Sequence, residues 1–368
     1  MALPFRAAAR HVSLRASTTR PRRCIHTTIA QHATPIAHPP ATGPPPEPPT
    51  PAVSEAQDRV ARKLKQAELL RRGQAIRANP AKPATALQKR FWKDSTVKET
   101  PEGYQVMLDT RPVRTASKDI LVVPSNKHAL AIAIALEWDQ LVSAQQALKN
   151  HYIPLTSLTS RAMDLKKADE DASPNLRRDL VQMLMRYLST DTLLCWAPER
   201  NIHDAVGLEQ RGGVESLRQL QIRTAKPIIS HLTSHVWPGV EIQPTLDPNS
   251  IMPLPQPEAT RSVIQGWLSG LPAFELAGLE RAVLATKSLL VSARLLVEWS
   301  QEFSHLRKDV DSQKRFGIEE AAEASTLEVS WQTKMWGEVD DTHDVDKEDI
   351  RRQLGSTILL VNGSSKSP

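Results

Sequence analysis

The densest group of side chains that could do chemistry lies near the C-terminus of this 368-residue sequence, where residues 338–346 contain five acids and one histidine. Clustered carboxylates can bind a hard cation, but this spacing matches no known cation loop and lacks a central glycine. Helix capping explains part of the cluster, because Asp346 and Asp349 form a variant of the capping box. The third interpretation is an acidic surface that contacts another protein. The residues assigned to that surface are Glu338, Asp340, Asp341 and Asp344.

Asp191 is a second candidate, because it lies on or beside the predicted helix face that carries Leu180, Leu184 and Tyr187. A carboxylate in such a position must find hydrogen-bond partners. Those partners could be structural, such as a neighbouring backbone group or Arg186, or they could belong to a bound protein. Both alternatives remain open, and Asp191 is included among the candidate partner-binding residues.

Two tryptophans and one cysteine are assigned structural roles. Trp138 lies between Glu137 and Asp139 on the packed side of a predicted helix, which is typical of a core anchor. Trp336 precedes the acidic cluster and is also assigned to packing. Cys195 lies in an apolar run of a predicted helix, which favours a buried, inert thiol.

The motifs of common enzyme classes are absent from the sequence. It contains no phosphate-binding G-x-x-x-x-G-K-S/T loop, no G-x-G-x-x-G fingerprint, no H-E-x-x-H motif and no G-x-S-x-G elbow. Two cysteines exclude a disulfide framework, and no uninterrupted apolar run reaches the ~18 residues of a membrane-spanning helix. We therefore expect a protein without catalytic residues, metal ligands or a cofactor.

The elements that must position these residues fall into two parts. Between residues 90 and 124 apolar side chains alternate with period two, notably Tyr104, Val106 and Leu108, which predicts a small antiparallel sheet. A helix over 126–142 and a strand or loop around 152–155 complete an α+β domain at 89–170. Helical periodicity dominates the rest, so 171–368 is predicted to be an all-α bundle with one long central helix over 276–299.

The first 88 residues are different in composition. Residues 1–46 contain six arginines and no acid, and without them the chain has 41 basic and 41 acidic residues. The acid-free, arginine-rich composition predicts a mitochondrial transit peptide at 1–34. Residues 35–88 are predicted to be a proline-rich and basic linker, although 54–78 contain good helix formers. Because the rest of the chain is neutral, its net charge does not favour nucleic acid.

Several stretches, taken together and in order, resemble the mitochondrial assembly chaperones that bind the alpha subunit of the ATP synthase catalytic sector. The resemblance runs from about residue 90 to 360. It is carried by RFWKDSTV, GYQVMLDTRPVRT, LVVPS, AIALEWDQ, YIPLTSLTSRAMD, RYLSTDTLLCW, LERAVLATKSLL, WGEVDDTHDV and RRQLGS. It implies the same two-part fold, a matrix location, the alpha subunit as partner, and no catalysis.

The sequence thus predicts a matrix chaperone that holds the unassembled alpha subunit and promotes its assembly with beta. No nucleic acid and no integral membrane segment are expected. Two alternatives were considered. One is a metal-dependent matrix hydrolase that uses the 338–346 cluster, and the other is a nucleic-acid-binding protein that uses the basic residues of the linker.

Overall fold

A computed structural model of the chain describes residues 63–65, 67–68, 90–171, 173, 175–198, 215–246, 252–307, 315–337 and 343–363. Residues 1–73 and 74–368 are separate units. In the first unit, the described residues 63–65 and 67–68 are helical. All elements below belong to the second unit.

A small antiparallel sheet is formed by β1 (Ser95–Thr100), β2 (Gly103–Leu108), β3 (Arg111–Pro112) and β4 (Val122–Val123). β1 pairs with one edge of β2, and both short strands pair with β2 as well. The alternating side chains of β2 are buried, as the period-two pattern predicts. Gly103 has a φ of +139°, and a Cβ there would lie 2.2 Å from the carbonyl oxygen of Val123. Only glycine allows β4 to approach so closely.

Helices account for most of the remaining described residues. They are α1 (His128–Asp139), α2 (Pro154–Glu170), α3 (Asn175–Ser189), α4 (Leu217–His231), α5 (Glu258–Gly270), α6 (Ala273–Thr286), α7 (Leu289–Trp299), α8 (Ile318–Ser325), α9 (Leu327–Trp336) and α10 (His343–Val361). The predicted fold class, a small antiparallel sheet with a helix followed by a helical C-terminal part, is confirmed. None of the described helices combines the length and the apolar character needed to cross a bilayer.

The centre of the helical part is α6, which packs against α2, α7 and α10. Its Gly278 allows α10 to come close, because a Cβ at this position would lie 2.8 Å from Cγ1 of Val361. The Thr357 hydroxyl donates to the Gly278 carbonyl at 3.3 Å. One core cluster contains Val106 of the sheet and Leu276 of α6, so the buried core crosses the predicted domain boundary at 170.

Three element predictions are wrong in whole or in part. The single helix over 276–299 is two helices, because Lys287 adopts a left-handed conformation with a φ of +57° and Ser288 caps α7. Of the strand or loop predicted around 152–155, residues 152–153 are a loop, but α2 already begins at Pro154. Cys195 is not helical, since α3 ends at Ser189.

Candidate partner-binding groove

The surface between α2 and α6 contains a groove made of two adjoining hollows. The first has a volume of about 620 Å³ and is lined by α2, α6 and the loop 140–153. The second, of about 450 Å³, extends from the same loop to α10. Leu148, Asn150 and Arg281 line both hollows, so we treat them as one groove, called the Arg281 groove below.

The start of α2, which forms the floor of this groove, is fixed by the carboxylate of Glu137 near the end of α1. Glu137 accepts hydrogen bonds from the backbone N–H groups of Leu155 at 2.7 Å and Thr156 at 3.0 Å. These are donors of the first helical turn, which have no partner within the helix. Burial raises the pKa of Glu137, and these hydrogen bonds oppose that rise. The bonds tie the end of α1 to the beginning of α2.

Trp138 continues this connection. Its indole Nε1 donates to Oγ1 of Thr156 at 2.9 Å, and its ring lies edge-on to Trp92 with 5.4 Å between centroids. The Trp92 indole in turn donates to the Trp138 carbonyl at 3.3 Å. The side chain is half-buried and packs against the core. Such contacts are what a structural role requires, and this role of Trp138 stays a prediction that a substitution can test.

An ion pair joins the two helices that border the groove. Arg161 of α2 donates two hydrogen bonds to Glu280 of α6, at 2.8 and 3.0 Å. Such a bidentate pair has a fixed geometry and is stronger than a single contact. On the α10 side, Arg352 forms an ion pair with Asp349 and donates to the carbonyl of His151 at 2.6 Å. The border of the groove is therefore held by contacts on both sides.

Arg281 differs from these arginines because it has no partner among the described residues. Within the part of the chain that the structure describes, Arg281 is half-buried and forms no ion pair and no hydrogen bond. Two leucines of the groove are exposed to solvent, Leu148 at 84 % and Leu284 at 37 %. An available guanidinium beside exposed apolar side chains is typical of a protein-binding surface.

Asp191 lies elsewhere, inside the helical core, and none of its surface is exposed. Its Oδ1 accepts from the backbone N–H of Leu193 and its Oδ2 from that of Leu290, each at 3.0 Å. The second bond caps the N-terminus of α7, whose dipole favours a carboxylate. Burial raises the pKa of Asp191 to about 6, against the effect of the hydrogen bonds from Ser288 and the backbone. These contacts support the structural alternative, because no oxygen of this carboxylate reaches the surface.

The acidic surface predicted near the C-terminus cannot be placed in the same way. Glu338, Asp340 and Asp341 lie outside the described residues. Asp344 belongs to the first turn of α10 and Trp336 to the last turn of α9, and the structure describes the backbone of both. Their partner-binding and structural roles stay predictions.

Cys195 is half-buried, and its sulfur lies 3.4 Å from the hydroxyl oxygen of Thr245. Burial raises the pKa of this thiol, which disfavours the thiolate that a reactive cysteine requires. The environment therefore agrees with the predicted inert thiol, although the local backbone is not a helix.

Sequence reasoning did not identify the Arg281 groove. It placed Arg281 within one long central helix over 276–299, and it gave Leu148 no role. The one sequence feature that indicated an exposed Leu148 is that the polar residues Lys149 and Asn150 follow it directly.

Comparison with known proteins gives consistent results. A family model described as the ATP12 chaperone protein matches residues 89–233. The mitochondrial protein atp12 of Schizosaccharomyces pombe is 31 % identical over 272 residues, which cover 74 % of this chain and 81 % of that protein. The mitochondrial protein ATP12 of Saccharomyces cerevisiae is 30 % identical over 287 residues, covering 74 % and 83 %.

Two solved structures share the fold. The crystal structure of Atp12 from Paracoccus denitrificans has a TM-score of 0.52 at 21 % identity, covering 74 % of this chain and 97 % of that one. A structure of a putative chaperone from Agrobacterium tumefaciens has a TM-score of 0.53 at 23 % identity, covering 77 % and 91 %. At these identities the likeness concerns the fold alone.

Proposed function

This chain belongs to the ATP12 chaperone family, and from that premise we propose that it binds the unassembled alpha subunit of the ATP synthase catalytic sector and promotes its assembly with beta. The observation that carries the proposal is the match over most of the chain to two mitochondrial members of the family. The stretches of sequence that resemble the alpha-binding chaperones support the choice of subunit.

The described surface has the composition that a subunit-binding chaperone requires. A subunit made for a ring has apolar and charged surfaces that its neighbours cover, and those surfaces promote aggregation while the subunit is alone. A chaperone must cover such a surface and then release it. The Arg281 groove offers apolar contacts together with polar ones, a composition typical of exchangeable rather than permanent interfaces.

We further propose that the acidic residues Glu338, Asp340, Asp341 and Asp344 form a second contact with the alpha subunit. The protein acts in the mitochondrial matrix in this proposal, because residues 1–34 have the composition of an import sequence. Its action requires no catalysis, no metal and no cofactor, since binding and release are sufficient.

The proposal is tested by affinity capture from a matrix extract, with the bound proteins identified by mass spectrometry. We expect the alpha subunit to be enriched over a control in which the bait is heat-unfolded. Enrichment of other proteins without a synthase subunit would contradict the proposal.

A further inference from the structure

We propose that the Arg281 groove binds an acidic segment of the alpha subunit, in which a carboxylate pairs with Arg281 and a neighbouring apolar side chain contacts Leu148. This inference rests on the proposed function and adds the place and the chemistry of the contact.

The charges of the groove indicate which kind of segment binds. Four arginines and three acids line the two hollows. All three acids already have partners: Glu280 pairs with Arg161, Asp349 pairs with Arg352, and Asp164 accepts from the Ser117 hydroxyl at 3.1 Å. Glu280 and Asp349 are thus paired with arginines, and Asp164 is the one acid of the described lining without an ion pair. With four arginines against three acids, the lining has a net charge of +1, which favours an acidic ligand.

Among the described residues that line the groove, Arg281 is the arginine that remains available. Arg161 and Arg352 are held by acids, and Arg114 donates to the carbonyl of Lys118 at 2.7 Å. Among the described residues Arg281 has neither an ion pair nor a hydrogen bond, while part of its surface is already shielded from water. A half-buried guanidinium without an acceptor gains most from a carboxylate, which can accept two hydrogen bonds from it.

The exposed apolar side chains of the groove also restrict which kind of segment can bind there. Leu148 stands 84 % exposed between the two hollows, and Leu284, one turn beyond Arg281 on α6, is 37 % exposed. Leu148 ends a short 3-10 helix, Gln146–Leu148, in the loop 140–153, and near the end of this loop the carbonyl of His151 accepts from Arg352. Covering this exposed leucine removes apolar surface from water, which favours binding of an apolar side chain. The occupant must therefore carry an acid close to an apolar residue.

The experiment measures binding of purified alpha subunit to the immobilised chain and to two single variants. Arg281→Glu should weaken binding by at least about tenfold, the size expected for loss of a charge-assisted contact. The control is Arg186→Glu on α3, an exposed arginine outside the groove, which should change binding by less than about twofold. Arg281→Lys keeps the charge and should lie between wild type and Arg281→Glu. Thermal midpoints within about 2 degrees of wild type establish that all variants fold.

A photo-crosslinking amino acid at position 148 identifies the occupant directly. We expect the crosslinked peptide to come from the alpha subunit and to contain Asp or Glu beside an apolar residue. A peptide without an acid, or one from this chain itself or from a second copy, would overturn the inference. So would equal binding by wild type and Arg281→Glu. In either case wild-type binding of the alpha subunit would leave the proposed function standing, whereas its absence would remove both.

Discussion

Two charged residues of the helical part, Asp191 and Arg281, show how differently a fold can use a charge. Asp191 has no exposed surface, and both of its oxygens accept backbone hydrogen bonds. Arg281 is half-buried, and within the described chain it has no partner. A buried carboxyl group that accepts from backbone donors is needed by the fold, because removing it leaves those donors unpaired. A partly shielded charge without a partner contributes little to folding and is available to a ligand.

The largest effect is expected at the buried residue. Asp191→Ala leaves the N–H groups of Leu193 and Leu290 without acceptors and opens a cavity, so the free energy of unfolding should fall by about 4 kcal/mol. Chemical denaturation measures this loss. Asp179→Ala, which removes an exposed aspartate of α3, is the matched control and should change stability by less than about 0.5 kcal/mol. Equal effects of the two variants would show that Asp191 does not hold the segment after α3 to the start of α7.

Trp138 connects the groove with the core, and it should give the next largest loss. In Trp138→Arg a guanidinium replaces the ring that packs on Trp92, and the bond to Thr156 is lost, so we expect a loss of about 3 kcal/mol. Trp138→Phe keeps an aromatic ring and should cost about 1 kcal/mol, the value of one hydrogen bond. An unchanged thermal midpoint in the Arg variant would mean that the floor of the groove is not part of the core.

The pKa of Asp191 gives a prediction with a defined sign. Its ordinary value is 3.8, and burial raises it to about 6 in the folded chain. The folded state therefore binds the proton more tightly than the unfolded state does. This proton binding adds to the free energy of unfolding fully below the unfolded-state pKa, and the contribution is lost as the pH rises through the folded-state pKa. The unfolding free energy of wild type minus that of Asp191→Asn should fall by about 2 kcal/mol between about pH 4.5 and about pH 7. A difference independent of pH would contradict the shift.

The acidic residues near the C-terminus, Glu338, Asp340, Asp341 and Asp344, are a third set of charges. Their role could be structural, like that of Asp191, or partner-binding, like that proposed for Arg281. Glu338→Gln and Asp341→Asn keep the side-chain shape and remove the charge. We expect melting temperatures within about 2 degrees of wild type and capture of the alpha subunit weakened about tenfold, or about 1.4 kcal/mol. Asp179→Asn is the control for removing an exposed acid elsewhere. A large loss of stability would instead assign these acids to helix capping.

The sequence predicted the sheet well, because a half-buried strand alternates and because Tyr104, Val106 and Leu108 leave no doubt about the buried side. It did not predict the break at Lys287. The left-handed conformation at the end of a helix is usually adopted by glycine or asparagine, so a lysine at this position does not predict it. The start of α2 was missed for a related reason, since the residues before Pro154 are apolar and resemble a strand.

The candidate sites show the same limit. Asp191 was recognised as a carboxylate that needs partners, but the sequence could not supply the identity of those partners, because Leu290 lies 99 positions away. The importance of Arg281 could not be predicted from the sequence either, because it depends on which other residues are paired. Its importance depends on the acids that pair with the other arginines of the groove, and those pairings are made only in the folded chain.

The central claim, that this chain holds the alpha subunit until beta replaces it, is tested most directly by one binding measurement. The chain is immobilised, purified alpha subunit is bound, and purified beta subunit is then added while bound alpha is followed. The account predicts saturable binding of alpha, little binding of beta alone, and release of alpha when beta is added. Absence of saturable alpha binding, or equal binding of beta, would contradict it.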